Sequence, residues 1–146
     1  MPEAAVFKAS RIANPQNDGW LDDHAIITDD GGRIEAVVSS ATLGDITDKK
    51  VYDLGDVSLL PGLIEAHSHL HVSPDLNGYA NITTESDDRM VMRAVGASRK
   101  ALLSGVTTMR DLGSRNQVAF PVRDAIEAGV IPGPRLLLAG TPITTT

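Results

Sequence analysis

The sequence contains no cysteine. That excludes a disulfide framework, a thiolate metal site and a cysteine nucleophile, and it fits a cytoplasmic protein. There is no run of about 18 apolar residues of the kind a transmembrane helix requires. The N-terminal Met1-Pro2-Glu3-Ala4 shows no basic region followed by a long apolar stretch, so no signal peptide is visible. Basic residues are not in surplus either: Lys plus Arg number 13 against 19 Asp plus Glu, a net charge of −6. This balance argues against nucleic acid and against an anionic membrane surface as partners. Internal repeats and low-complexity tracts are absent.

What is present is ordinary globular composition, 42% hydrophobic and 22% charged over 146 residues. That length matters, because a complete (β/α)8 barrel takes about 200 to 250 residues.

The chain reads in two parts, with the boundary at residues 58 and 59. Residues 1–58 read as short strands. Ala4 to Ala9 is a short apolar run, followed by the turn-rich Asn14-Pro15-Gln16-Asn17-Asp18-Gly19. The runs His24 to Thr28 and Arg33 to Val38 flank Asp29-Asp30-Gly31-Gly32, residues that tolerate positive φ and so predict a hairpin. Val51 to Leu54 and Val57 to Leu60 read as a second pair about Gly55-Asp56. A small antiparallel sheet or half sandwich is expected here. His24, remote from the other histidines, reads as a surface or edge-strand residue.

Residues 59–146 change rhythm. Leu59 to Ala66 is a near-continuous apolar run, as in parallel strands buried on both faces. A loop is expected from about His71 to Thr84, then a helix from about Ser86 to Ser104 with apolar and small residues every three or four positions. Asp87 and Asp88 at its start and Arg99 and Lys100 near its end suit the helix dipole, and the acidic start reads as solvated. Val106 to Met109 is the next strand. A second helix spans about Val118 to Ala128, with Pro121 in its first turn and Gly129 past its end. Arg135 to Ala139 is a third strand. The order β-α-β-α-β predicts parallel strands with right-handed crossovers. Met90, Met92 and Met109 read as core or surface filler.

Three of the four histidines fall within His67-Ser68-His69-Leu70-His71, where the first parallel strand ends. In a strand, positions i and i+2 point to one side with Cα atoms about 6.6 Å apart, so the imidazoles of His67 and His69 can converge on one metal ion. The same residues could instead cap the strand end and bond backbone carbonyls. His71 could ligate a second ion, wall the site or lie in a loop. Arg110 and Asp111 close the second strand at the same mouth. They could contact substrate or orient a ligand histidine, or form an Arg–Asp pair or cap the turn at Gly113-Ser114. Asp111 is the sole catalytic candidate in the chain.

The segment Leu60-Pro61-Gly62-Leu63-Ile64-Glu65-Ala66-His67-Ser68-His69 resembles the first-strand signature PGxID-x-HxH of metal-dependent amidohydrolases. Glu65 stands where that signature usually has Asp. Gly105-Val106-Thr107-Thr108-Met109-Arg110-Asp111-Leu112-Gly113 is similar to the second-strand segment of the imidazolonepropionase-like branch, whose relatives cleave dipeptides and amino-acid amides. Val51 to Asp56 resembles the stretch that leads from the family's β-sandwich into its barrel.

The resemblance implies an α/β fold: the N-terminal part of a composite β-sandwich (1–58), then the first three βα units of an incomplete (β/α)8 TIM-type barrel (59–146). It implies that His67 and His69 are the first two metal ligands, with His71, Arg110 and Asp111 contacting substrate or those ligands. The cofactor is expected to be a divalent metal, zinc, as one or two ions. The remaining ligands of the family lie on strands 4 to 8, for which no residue here can stand. The last residues, Thr141 to Thr146, look like a chain cut inside the loop after strand 3. The expected function is the N-terminal segment of a hydrolase that cleaves C–N bonds of a small amide or dipeptide-like substrate with a metal-activated water. Such a segment needs the remaining barrel in cis or in trans and belongs to an enzyme expected to be a homo-oligomer. The alternative is a non-catalytic fragment or pseudo-subunit that assembles with a partner chain.

Overall fold

The computed structural model describes residues 3–74 and 77–143. Part of the expected loop at His71 to Thr84 and the final threonines 144–146 lie outside the described residues. The chain divides into two compact units, residues 1–61 and 62–146. Among the described residues no helix is long and apolar enough to cross a membrane.

The first unit is a five-stranded sheet. Strands β1 (Ala5–Asn14), β2 (Gly19–Thr28) and β3 (Ile34–Ser39) form antiparallel neighbours in the order β3-β2-β1. The Asp29 to Gly32 turn forms for the reason its composition suggests. Asp29 Oδ1 accepts from the Gly31 and Arg33 N–H groups, both at 2.9 Å, and Gly32 takes φ +75°. Val6 and Ala25 are fully buried, and Ala5, Ala9 and Ile12 are nearly so.

The second expected pair is not a hairpin. Strands β4 (Lys50–Asp53) and β5 (Ser58–Leu59) both lie parallel to β1, one after the other along the same edge. The ten-residue β1 is long enough to accept both, and Gly55 at φ +69° makes a jog between them. The Gly55 carbonyl stays on the ladder by accepting from the Ser10 N–H at 3.2 Å. The sheet is therefore mixed, not purely antiparallel. His24 sits in β2 between two neighbours, so it is not on an edge, and its Nδ1 lies 2.6 Å from the Asp22 carbonyl.

The second unit is a three-stranded parallel sheet, β6 (Leu63–Ser68), β7 (Val106–Asp111) and β8 (Arg135–Leu138), in that order. The apolar run from Leu59 to Ala66 is thus divided between two sheets, with the break at Leu60 to Gly62. Gly62 is required there, since a Cβ would fall 2.0 Å from Thr107 Oγ1. Helices α2 (Asp87–Leu103) and α3 (Ala119–Glu127) supply the crossovers. Gly105 and Gly129 take φ +89° and +70° just past their ends. Leu70, Ala94, Met109, Val122 and Leu136 form the core between the helices and the sheet. Met90 is fully buried, whereas Met92 is exposed.

Two features depart from expectation. The first is a short helix, α1 (Gly78–Thr84), within the stretch expected to be loop. Local composition disfavours it, but Arg115 donates to the Ile82 carbonyl at 2.5 Å and to the Glu85 carbonyl at 2.6 Å, satisfying groups that a helix end leaves open. Arg115 also reaches Asp87 Oδ1 at 2.6 Å, so the acidic start of α2 is paired and not merely solvated. The second concerns β6, which is not buried on both faces in this chain: Leu63 and Ile64 are 59% and 73% exposed.

Candidate functional site at the strand ends

Parallel strands of α/β folds place active sites beyond their carboxyl ends. Here the first such end carries His67 inside β6 and His69 just past it. Their ring centres are 5.5 Å apart with planes at 72°. One ion, with metal–nitrogen distances of about 2.0–2.1 Å, can lie within reach of both rings.

Each histidine is held by a neighbour. The Glu65 carboxylate accepts from the His67 backbone N–H at 2.8 Å, which stiffens the strand end. The ring of His69 lies with Nδ1 3.0 Å from the Gly113 carbonyl oxygen. A carbonyl can only accept, so in the neutral ring Nδ1 carries the proton and Nε2 keeps its lone pair. This is the arrangement in which metal-bound histidines are commonly oriented.

His71 lies behind His69, with ring centres 6.4 Å apart. It is buried, and among the described residues its Nδ1 has no hydrogen-bond partner. Burial pushes its pKa below the ordinary histidine value; the charge of Asp111 opposes this, and His69, Arg115 and Arg93 add to it. His71, with His69, Val72, Ile82, Ser114 and Pro142 among others, lines a cavity of about 430 Å³.

Asp111 is fully buried at the end of β7. Its Oδ2 accepts from the Leu70 N–H at 2.8 Å and its Oδ1 from the Gly113 N–H at 2.9 Å. Arg110, its neighbour on β7, points to the other face of the sheet and donates from Nε to the Ala66 carbonyl at 2.8 Å. The two are therefore separated by the alternation of the strand. Among the described residues no group of three His, Asp or Glu side chains is arranged to hold a metal ion. His67 and His69 form a pair of imidazoles at the strand end.

Sequence reading left Arg115 unremarked, and it did not anticipate that the Gly113 carbonyl meets the His69 ring. Gly113 follows the strand end in Asp111-Leu112-Gly113 and takes φ +138°, a conformation that a side chain rarely adopts. A glycine two residues after a strand-end aspartate was the available signal.

The amidohydrolase family profile matches residues 58–146. No curated protein matches the chain in sequence. Among solved structures, an Xaa-Pro dipeptidase with methionine bound in its active site is 27% identical, with a TM-score of 0.83, over 97% of this chain and 34% of that one. A structure described as an amidohydrolase is 28% identical, with a TM-score of 0.79, over 94% and 32%. The ochratoxinase of A. niger shares the fold at 23% identity and a TM-score of 0.75, over 95% and 31%. The chain thus spans about a third of the length of the structures it matches and shares their mixed α/β architecture over that span.

Proposed function

Because the chain belongs to the amidohydrolase family, we propose that it supplies the first metal-binding arm of a hydrolase that cleaves C–N bonds, amide or peptide-like. The observation that carries this reading is the pairing of His67 and His69 at 5.5 Å, with His69 held at Nδ1 by Gly113 so that Nε2 is left to bind an ion. In this reading His67 and His69 hold a divalent metal of the kind imidazole suits, zinc, iron, nickel or copper, and zinc is the ion we propose. When bound, such an ion lowers the pKa of water toward about 7 and polarises a carbonyl.

The chain's own part is to bind and orient. Glu65 stiffens the backbone at His67. The cavity beside His69, walled by Val72, Ile82 and Pro142, receives an apolar portion of a small amide or dipeptide-like substrate. The Xaa-Pro dipeptidase among the similar structures favours that substrate class. The proton-transfer group and the other ligands belong to further barrel strands, supplied in cis or in trans.

A second reading, a non-catalytic subunit that assembles with a partner, draws on the exposed sheet residues Leu63 and Ile64, and on Leu137 at 53% exposure. Parallel sheets are normally covered on both faces, so this reading too requires further structure.

The test is metal content and hydrolysis of an Xaa-Pro dipeptide by the chain, alone and co-expressed with a segment that supplies strands 4 to 8. Zinc retention and hydrolysis that appear with the completed barrel and vanish in His67→Ala and His69→Ala support the proposal. A completed, folded assembly that binds no metal and hydrolyses nothing leaves the non-catalytic reading.

A further inference from the structure

We infer that Asp111 is a positioning residue for His69, setting both its backbone and its ring tautomer through one buried carboxylate. The inference rests on the reading of His69 as a metal ligand for its functional meaning, but the geometry stands by itself. One oxygen of Asp111 accepts from the N–H of Leu70, the residue directly after His69, at 2.8 Å. The other accepts from the N–H of Gly113 at 2.9 Å. The carbonyl of that same Gly113 lies 3.0 Å from His69 Nδ1. The imidazole is thus tied from two sides to a single side chain on the next strand.

Three further bonds join the strand ends around this contact. The Leu112 N–H donates to the Ser68 carbonyl at 2.9 Å, joining the end of β6 to that of β7. The Ala139 N–H donates to the Asp111 carbonyl at 3.0 Å and the Ser114 N–H to the Gly140 carbonyl at 2.8 Å, joining β7 to the end of β8. At Gly113 a Cβ would come within 2.4 Å of Pro142, so no side chain fits where the chain turns toward His69.

The chemistry calls for a carboxylate and not an amide. Asp111 meets two N–H donors, one on each oxygen. An asparagine offers one acceptor oxygen, and its NH₂ would face the second donor. Either Leu70 or Gly113 would lose its partner in a buried site, and the His69–Gly113 contact would lose one of the ties that set its geometry. A weaker hold on that contact lets the proton of His69 exchange to Nε2, the atom needed for the metal.

The experiment reads the tautomer directly. The full chain labelled with ¹⁵N is examined by long-range ¹H–¹⁵N correlation of the histidine rings above pH 8. The wild type is expected to show His69 as the Nδ1–H form. Asp111→Asn, with its backbone amide spectrum otherwise retained, is expected to show a mixture enriched in Nε2–H, and Asp111→Glu partial return toward the wild type. Zinc titration of the same samples is expected to show about 10- to 100-fold weaker binding in Asp111→Asn.

A folded Asp111→Asn chain with His69 still wholly Nδ1–H overturns the inference. So does a wild type in which His69 is the Nε2–H form, a result that needs no variant to fold. If the tautomer responds as expected but zinc perturbs neither His67 nor His69, the positioning by Asp111 stands and the metal reading of the site falls.

Discussion

Arg115 binds Asp87 through a 2.6 Å bond from Nη2 to Oδ1, and the same guanidinium also holds the Ile82 and Glu85 carbonyls. One side chain thus fastens the end of α1 to the start of α2. Arg115→Met, which keeps the aliphatic stem but loses these donors, is expected to destabilise the chain by about 1–2 kcal/mol. The loss should be local. Hydrogen exchange would show α1 amides losing protection while those of β7 keep theirs, and equal loss in both would contradict this account.

The same pair gives a pH dependence. The hydrogen bond from Arg115 holds the Asp87 carboxyl below its ordinary range, with Asn116 adding to this and burial slightly opposing it. A depressed folded-state pKa contributes stability above the unfolded value, about 3.9, and that stability is lost as pH falls through the folded value. Asp87→Asn removes the titration. The drop in thermal midpoint between pH 5 and pH 3 should be smaller in this variant than in wild type. An identical drop in both would show that Asp87 does not take part.

These contacts also show what was legible beforehand. Where a residue's partners are close in sequence, composition sufficed. The Asp29 to Gly32 turn, the span of α2 and the glycine stops at Gly105 and Gly129 all follow from neighbours within a few positions. The pairing of His67 with His69 followed from the two-residue period of a strand. What escaped depends on distant partners. The carbonyls at the end of α1 are satisfied by an arginine some 30 residues onward, so glycine, asparagine and threonine there suggested loop. Likewise the carbonyl that orients the His69 ring comes from 44 residues away. The parallel seating of β4 and β5 depends on the length of β1, which their own residues do not reveal.

Adjacent leucines on β8 should behave oppositely. Leu136 is 4% exposed and lies in the core with Met109 and Val122, while Leu137 is 53% exposed on the other face. Leu136→Ala is expected to cost about 2–5 kcal/mol in denaturant unfolding. Leu137→Ala should stay within about 0.5 kcal/mol in the same chain. Comparable losses at both positions would mean that the exposed face is covered in solution.

The close approach of Gly62 to Thr107 can be isolated by a double-mutant cycle. A methyl group at position 62 would meet Thr107 Oγ1 at 2.0 Å and Cβ at 2.6 Å, so Gly62→Ala must push β6 away from β7. The expected cost is about 1–3 kcal/mol, the range for overpacking. Thr107→Gly removes the colliding atoms, so adding Gly62→Ala to that background should cost much less than it does in the wild type. Additive losses would place the strain elsewhere in the strand.

His71 offers a contrast with its two neighbours. It is 4% exposed, and among the described residues its Nδ1 has no hydrogen-bond partner, so it stands as a wall of the cavity. Replacing an unsatisfied buried polar side chain by an apolar one is close to neutral when the space is filled. His71→Leu should therefore change stability by less than about 1 kcal/mol and leave zinc affinity within about twofold, whereas His67→Leu and His69→Leu should abolish binding by this arm. Calorimetric titration of the three variants separates the roles. Loss of zinc affinity in His71→Leu equal to that in His69→Leu would make His71 a ligand, and the two-histidine arm would become a three-histidine site.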